Sequence, residues 1–400
     1  MDPALYWLWL AHGVGPAWKD AGRCLRQFPD PARLWAAAQE GALPDWFTPR
    51  AKERLCAAAP WTFEPLLDNC ALRRIWVLTP EDPAYPRRFL DLPDAPLVLY
   101  ATGDTACLNG RAYVGVVGTR RPTAYGRQAA ADLSAALAKR GVVIVSGLAD
   151  GLDSVGQRAA VQAGAPTVAF LGTAIDKTYP AANLPLRQAL EQQGGCSLSE
   201  YAPQSAALSQ KAAFLDRNRL IAGLAQVLCV AEARERSGTL NTVAHAERYG
   251  RPVLAVPGSI YSPASGGTNR LLHDGRAAAL CGPADVLALL DPAAGTAAPA
   301  VPGSAAAVPA AADAPAPADP AAGPWPGDDA LPPDAADDLP PDISDDARTL
   351  YAVLGPVPQQ ADELCRITGL PAARATPALL ELEFRGLALV EPGRRYLLAR

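Results

Sequence analysis

Residues Val114–Gly126 read VGVVGTRRPTAYG, and the chain is best interpreted outward from this stretch. An apolar, β-branched run ends at Gly118, and a hydroxyl, two arginines and a proline follow before a second glycine opens a helical pattern. A buried strand that delivers backbone N–H groups and cations to a helix N-terminus is typical of a phosphate-binding loop. The sequence therefore predicts phosphate binding here, with the phosphate belonging to a nucleotide or to a nucleic acid.

From Tyr113 onward, strand patterns alternate with helix patterns. Apolar runs predict strands at Tyr113–Val117, Val142–Ser146, Thr167–Leu171, Cys196–Ser199, Val227–Ala231 and Val253–Val256. Helical spacing predicts helices between them at Gly126–Lys139, Ser154–Ala163, Leu184–Gln193, Phe214–Leu224 and Thr239–Tyr249. This alternation indicates an α/β fold, an extended Rossmann-like core with a parallel sheet covered on both faces. Ligands of such sheets bind outside the carboxyl ends of the strands.

The segments before this core differ from it in composition. Residues 1–75 show helical apolar spacing and predict an N-terminal helical domain of the SAM or helix-hairpin-helix type. The stretch His12–Pro16 predicts a tight turn between two helices, which serves either as a plain connection or as a donor of N–H groups to DNA phosphate. The core domain spans residues 76–290 and starts with a proline-rich connector that holds a strand at Leu97–Tyr100.

Two further segments follow the core. Residues 291–342 are mostly Ala, Pro and Asp with a single aromatic residue, Trp325, so they predict a disordered linker. Residues 343–400 predict a winged-helix domain, in which three helices precede a β-hairpin: Asp345–Leu354, Ala361–Ile367 and Ala372–Arg385, then Leu387–Val390 and Tyr396–Leu398. Winged helices either read nucleic acid or bind protein, and both alternatives stay open here.

The net charge of −5 hides a basic core. Residues 111–290 carry 18 basic and 12 acidic residues, whereas residues 291–346 carry 11 acidic residues and no basic one. The acidity of the chain is therefore concentrated outside the segment that holds the phosphate-binding loop. The overall charge does not argue against an anionic partner.

Several enzyme classes lack their sequence signatures in this chain. It contains no GxGxxG, no Walker A motif and no GxSxG, which disfavours a dinucleotide fold, a P-loop ATPase and an α/β-hydrolase. Eight scattered cysteines without a CxxC pair and three distant histidines predict no metal site, no cofactor and a cytoplasmic location. No apolar run is long enough to span a membrane.

Lys211 and Phe214 are spaced i, i+3 and would share one face at a helix start. A cation beside an aromatic ring can hold phosphate while the ring stacks a base, but Phe214 could equally anchor its helix in the core. Arg217 and Arg219 flank Asn218, and at least one of these arginines is expected to pair with an internal carboxylate such as Asp216 or Glu232.

Three carboxylates near strand ends have a catalytic and a structural interpretation. Asp153 could bind a ribose, a metal or water, but a cap on the nearby helix is favoured. Glu200 and Glu232 could act as acid or base, but structural hydrogen bonding is favoured because no partner for catalysis is evident.

Taken together, the strand-end loops resemble the DNA-processing protein A family. The resemblance rests on six ordered motifs: VGVVGTRRPTAYG, SGLADGLDSVGQRAA, FLGTAIDKTYPAAN, FLDRNRLIAGL, SGTLNTVAHA and AVPGSIYSPASGGTNRLL. It is strong over about residues 80–290 and looser in the helical front and the winged-helix tail. It implies a homodimeric, non-catalytic protein that binds single-stranded DNA and loads the RecA recombinase onto it in natural transformation and recombination. Single-strand-binding protein is a further implied partner.

The resemblance also assigns roles to individual residues. Gly118, Thr119 and Arg120 would form the main phosphate pocket, and Lys211 and Phe214 match the Lys-x-x-Phe element that contacts the strand. The groove between them would be lined by Ser146, Gly147, Arg217 and Asn218. Two departures stand out, because Leu215 replaces a frequent proline and Asp150 replaces a frequent basic residue, which would weaken DNA affinity.

The residues of these loops are also compatible with a second function, the processing of nucleotides by an enzyme. Rossmann-like folds with glycine-rich phosphate loops also serve nucleotide-processing enzymes such as phosphoribohydrolases. In that case Glu232 or Asp153 would be the catalytic acid.

Overall fold

A computed structural model describes residues 2–205, 210–290, 343–351, 353–354, 359–385, 387–391 and 395–398. The chain divides into two compact units, residues 1–321 and residues 322–400. The predicted linker at 291–342 lies outside the described residues. Within those residues, no helix has both the length and the apolar character that a bilayer crossing requires.

The first unit contains five N-terminal helices and an α/β core. The helices before the sheet are α1 (Ala4–Val14), α2 (Ala21–Gln27), α3 (Pro31–Gln39), α4 (Pro49–Ala57) and α5 (Glu64–Leu72). The strands are β1 (Trp76–Leu78), β2 (Leu99–Gly103), β3 (Tyr113–Gly118), β4 (Val143–Ser146), β5 (Thr167–Phe170), β6 (Cys196–Ser199), β7 (Val227–Glu232), β8 (Val253–Ala255) and β9 (Ala278–Ala279). The helices that alternate with them are α6 (Ala124–Ala138), α7 (Leu152–Gln162), α8 (Leu184–Gln192), α9 (Gln210–Leu224), α10 (Thr239–Arg248), α11 (Gly266–His273) and α12 (Pro283–Leu290).

These strands form one sheet in the order β1-β2-β6-β5-β4-β3-β7-β8-β9. Pairing is parallel from β3 through β9, whereas β2 runs antiparallel to both of its neighbours. The order reverses at β3, because β4 to β6 continue on one side of it and β7 to β9 on the other. Such a switch point opens a crevice at the carboxyl ends of the strands, where ligands of open α/β sheets bind.

Alternate residues of the central strands enter two different hydrophobic cores. Val114 and Val116 of β3 pack with the helix that follows it, whereas Val117 packs on the other face with the N-terminal helices. Side chains of successive strand residues point to opposite faces, so a run that is apolar throughout can be buried on both. The sheet is therefore covered on both faces, and the predicted α/β fold class is confirmed.

The N-terminal helices share a continuous core with the sheet. Trp7 and Trp9 of α1 are fully buried in the same cluster as Phe89 and Phe170. Helix α1 continues to Val14, so the turn predicted at His12–Pro16 begins later, at Gly15. Gly13 lies within α1, and its lack of a side chain allows Leu55 to pack closely against the helix.

The second unit has its own small core. It contains α13 (Asp345–Tyr351), β10 (Gln359–Gln360), α14 (Ala361–Thr368), α15 (Ala372–Phe384), β11 (Ala388–Glu391) and β12 (Arg395–Leu398). The strands pair in the order β10-β12-β11, and β11 and β12 form the predicted hairpin. Three helices and a three-stranded sheet form the winged-helix architecture expected from the sequence.

Candidate nucleic-acid interface

The loop after β3 leaves the sheet at the switch point. The pairing register between β3 and β7 shifts at Gly118, the last residue of β3. One residue later, the backbone N–H of Thr119 donates to the carbonyl oxygen of Glu232 at 2.8 Å. The predicted phosphate-binding loop is thus attached to the neighbouring strand rather than free to move.

Glu232 holds the far end of the same loop. Its carboxylate is 1% exposed and accepts the backbone N–H of Thr123 at 2.9 Å and the Thr123 hydroxyl at 2.7 Å. The Thr123 hydroxyl in turn accepts the N–H of Gly126 at 3.1 Å and caps the N-terminus of α6. Glu232 therefore has the structural role that the sequence favoured over acid–base chemistry.

Gly151 supports the loop from the side of β4. Its φ is +82°, and a Cβ there would lie 2.3 Å from the carbonyl oxygen of Thr119 and 2.6 Å from the Cα of Arg120. Only glycine allows both this backbone conformation and this close approach. The loops after β3 and β4 are therefore in direct backbone contact, and this contact fixes the position of the Arg120 backbone.

The side chain of Arg120 lies over an aromatic ring from α9. Its guanidinium carbon is 5.5 Å from the ring centroid of Phe214, and that ring lies 5.4 Å from the ring of Tyr179. Phe214 is half-buried, and its ring packs on Gly172, where any Cβ would collide with it. We call Arg120, Tyr179, Phe214 and Arg217 the Arg120–Phe214 cluster. It combines a cation with two partly exposed rings at the carboxyl edge of the sheet.

Arg217 lies beneath the same ring, 5.9 Å from its centroid, but is only 4% exposed. Its Nη1 donates to the carbonyl oxygen of Gly147 at 2.6 Å and to that of Phe170 at 2.5 Å. Burial lowers the pKa of the Arg217 guanidinium to about 10; Asp153 opposes this shift and Arg120 adds to it. Arg217 remains charged at neutral pH and fastens the ends of β4 and β5 to α9.

Ser146 and Asp153 are also part of the framework below the loops. The Ser146 hydroxyl is fully buried and donates to the carbonyl oxygen of Val116 at 2.6 Å. Asp153 accepts the N–H of Gly147 at 3.1 Å, and burial raises the pKa of its carboxyl despite the nearby Arg217. The favoured helix-cap role of Asp153 was wrong, because α7 starts one residue earlier and its N-cap is Gly151.

Helix α9 also carries two other predicted site residues, Asn218 and Lys211, and the arginine next to Asn218. Asn218 is half-buried and donates from Nδ2 to Oδ1 of Asn241 at 3.2 Å. Arg219 pairs with a buried carboxylate as expected, but its partner is Glu200 at 2.5 Å rather than Asp216 or Glu232. The end of β6 places Glu200 opposite α9, which the order of residues along the chain does not reveal. Lys211 is in the first turn of α9, and its side chain lies outside the described residues.

The structure thus brings Gly118, Thr119, Arg120, Gly147 and Phe214 to one edge of the sheet. Ser146 and Arg217 lie below that edge as buried supports, and whether any of these residues touches DNA stays a prediction. The sequence analysis missed Tyr179, whose ring extends the aromatic surface. Its position in a strand-end loop was the available signal, because such loops meet at the carboxyl edge of the sheet; the ring is 47% exposed there. No group of His, Cys, Asp and Glu suited to a metal ion occurs in the described parts of the chain.

Comparison with known families identifies both units. Residues 76–291 match the family model of DNA recombination-mediator protein A, and residues 332–394 match the DprA winged helix domain. The first match covers more than half of the chain and includes every loop of the site described above.

Individual relatives support this assignment. The Smf protein of Synechocystis is 33% identical over 330 residues, which cover 80% of this chain and 79% of that protein. Against two other curated members, the chain spans 63% and 54% of their lengths. The X-ray structure of DNA processing protein A from Streptococcus pneumoniae has 31% sequence identity and a TM-score of 0.60, covering 72% of this chain and 98% of that one.

A structure of DNA processing protein A from Helicobacter pylori, concerned with its single-stranded DNA binding mode, is 34% identical and covers 54% of this chain. Its TM-score of 0.48 is too low to support conclusions about the site. The matches over the core and the tail agree with each other and with the six sequence motifs. The chain belongs to the DNA recombination-mediator protein A family.

Proposed function

We propose that this protein binds single-stranded DNA at the Arg120–Phe214 cluster and acts as a recombination mediator without catalysing a reaction on the strand. The observation that carries the proposal is the guanidinium of Arg120 over the half-buried ring of Phe214. An arginine can pair with a phosphate while an aromatic ring beside it stacks a base. The two groups occupy the edge of the sheet where α/β folds bind ligands.

A single strand suits this cluster better than a duplex. Stacking on Phe214 or Tyr179 requires a base face that is not already covered by its neighbours. In a duplex those faces are stacked on adjacent base pairs, and extruding a base costs a few kcal/mol. The positive balance of residues 111–290, 18 basic against 12 acidic, favours a polyanion over a single nucleotide.

The nine residues of the proposed site have two kinds of role. Gly118, Thr119, Arg120, Lys211 and Phe214 would contact the strand. The others would hold those contacts in place from below or beside them: Ser146, Gly147, Arg217 and Asn218. This division follows the burial of Ser146 and Arg217, whose polar atoms already bond to backbone carbonyl groups.

The wider biological role is part of the same proposal. We infer that the protein promotes loading of RecA onto single strands covered by single-strand-binding protein, in transformation or recombination. We further infer that it works as a cytoplasmic homodimer. Membership of the family supports these inferences, and the test is RecA-filament assembly on coated strands with and without the protein.

The site is tested by reversing two of its charges. In the variant Arg120→Glu with Lys211→Glu, we expect the affinity for oligo-dT to fall by more than about 100-fold, because two phosphate contacts become repulsive. Fluorescence anisotropy with a labelled oligo-dT measures this change. The matched control is Lys139→Glu with Arg140→Glu, which makes the same charge change at exposed residues at the opposite end of α6.

The control is expected to bind within about threefold of the wild type, apart from a general charge effect. Equal losses in both double variants would show that net charge, not the site, decides binding. Release of free base from nucleotides by the purified protein, abolished by Glu232→Gln, would instead support the phosphoribohydrolase alternative and contradict a purely binding function.

A further inference from the structure

A second exposed surface lies on the other side of the switch point from the Arg120–Phe214 cluster. It consists of Tyr125 in the first turn of α6 and of Ile260 and Tyr261 in the loop after β8. We call these three residues the Tyr125–Tyr261 surface. Their exposed fractions are 54%, 83% and 87%, so most of each side chain lies on the surface. The proposed site does not use any of them.

The loop that carries two of these residues is firmly held. The Tyr125 hydroxyl donates to the carbonyl oxygen of Pro257 at 2.8 Å, which ties α6 to the end of β8. Asn269 of α11 bonds to both the N–H and the carbonyl oxygen of Gly258, each at 3.0 Å. The N–H of Tyr261 donates to the Ser259 hydroxyl at 3.2 Å. The exposed side chains are thus carried by a loop that hydrogen bonds hold in place.

Exposed arginines lie close to this surface in the chain or in the sheet. Arg121 precedes Tyr125 in the loop after β3, and Arg234 and Arg236 follow β7, the strand next to β8. None of these three arginines forms an ion pair with a described residue, and the exposed acid among them is Glu235. Aromatic rings among unpaired arginines match the chemistry of a nucleic-acid strand, which offers base faces and phosphates in alternation.

The sheet sets the distance between the two surfaces. The Phe214 ring packs on Gly172, just after β5, and Pro257 lies just after β8. The strands β4, β3 and β7 lie between them, so the separation is four strand spacings, or about 19 Å. A single strand with the base spacing of stacked DNA covers this distance with about six nucleotides.

We propose that the Tyr125–Tyr261 surface is a second stacking site for the same DNA strand that the Arg120–Phe214 cluster holds. The strand would run along the carboxyl edge of the sheet, from the end of β5 across the switch point to the end of β8. Its phosphates would pass the arginines at 120, 121, 234 and 236. This inference rests on the proposed function. It adds the path of the bound strand along the sheet edge and the number of nucleotides that the path holds.

The test compares short and long oligonucleotides on the full-length protein. For Tyr261→Ala with Ile260→Ala, we expect affinity for an oligo-dT of about 20 nucleotides to fall about tenfold, because one stacked base is lost. Affinity for an oligo-dT of about four nucleotides should stay unchanged, since such a strand reaches only one surface. Tyr261→Phe should restore the wild-type value, because the ring alone stacks. Leu72→Ala, at a residue 86% exposed on α5, is the control.

A direct readout comes from photo-crosslinking with an oligo-dT that carries 5-iododeoxyuridine, followed by peptide mapping. Crosslinks at Tyr125 or Tyr261 support the proposal. Unchanged affinity of the Tyr261 variant at every length, with Arg120→Glu still abolishing binding, would overturn this inference alone. A wild-type protein that fails to bind oligo-dT would overturn the proposed function itself. A change of mass in sedimentation for Tyr261→Ala would assign the surface to contact between copies and also overturn the inference.

Discussion

Arg120 and Arg217 are the same residue type within one predicted site, and burial gives them different tasks. Arg120 lies half-exposed over Phe214, whereas Arg217 is buried below the ring and bonded to two backbone carbonyl groups. A buried arginine with its donors engaged cannot turn outward without leaving those carbonyls unpaired. Arg120 is therefore the one of the two that can meet a phosphate.

Gly151 is a single residue on which the position of the Arg120 loop depends. Its substitution by Ala should lower the free energy of unfolding by about 2–4 kcal/mol, because the left-handed φ and the contact with the Thr119 carbonyl both resist a Cβ. Gly110→Ala is the matched control, since Gly110 has a φ of +72° but nothing within 4 Å of a Cβ. Urea unfolding of both variants separates the two effects, and equal losses would show that close approach contributes nothing.

For single residues, the sequence predicted which side chains belong to the site but not their hydrogen-bond partners. The family resemblance placed Ser146 among the groove residues, and this stays a prediction. What the sequence did not reveal is that its hydroxyl bonds to Val116 of the adjacent strand β3. Which strand lies beside β4 depends on sheet order, and a single local motif does not contain that information.

At the scale of elements, both β3 and α6 were predicted to within two residues at each end. The strand was expected at Tyr113–Val117 and occupies Tyr113–Gly118, because its β-branched residues suit a strand buried on both faces. The helix was expected from Gly126 and begins at Ala124, after its cap Thr123. Strand β9 was missed, because two alanines give no apolar run.

Thr123 gives the prediction for the loop between β3 and α6. Thr123→Val should lower the free energy of unfolding by about 2–3 kcal/mol, because it removes the helix cap and leaves one oxygen of buried Glu232 without its hydroxyl partner. Oligo-dT affinity should fall with it, since the loop that carries Arg120 loses its anchor. Thermal unfolding and anisotropy measure the two effects, and Thr123→Ser should retain most of both. Full affinity in Thr123→Val would show that the anchor is not needed for binding.

At the scale of the whole molecule, the predicted DNA-binding residues all lie in one of the two units. All nine are in the unit of residues 1–321, within its segment 111–290, which carries 18 basic and 12 acidic residues. The winged-helix unit carries 7 basic and 5 acidic residues after position 346, a small excess for a DNA reader. We therefore expect the first unit to supply most of the affinity for single strands.

A chain shortened to residues 1–321 tests this division. Its affinity for oligo-dT should stay within about threefold of the full-length value, and both should weaken steeply between about 0.05 and 0.2 M salt. The slope of log affinity against log salt should be the same in both proteins, about −0.7 for each phosphate neutralised. A loss of more than about tenfold, or a shallower slope in the short chain, would mean that the second unit contacts the strand.

The sequence by itself determined the alternation of strands and helices, the position of the loop predicted to bind phosphate, and the family, because these depend on local spacing and on motifs read in order. The tertiary structure decided which cations are buried, that Glu232 fastens the loop through Thr123, and that Tyr179 joins Phe214. It also decided that the Tyr125 hydroxyl bonds to Pro257, at the end of the strand two places from β3 in the sheet. These features depend on contacts between residues far apart in the chain, and the order of strands in the sheet sets those contacts.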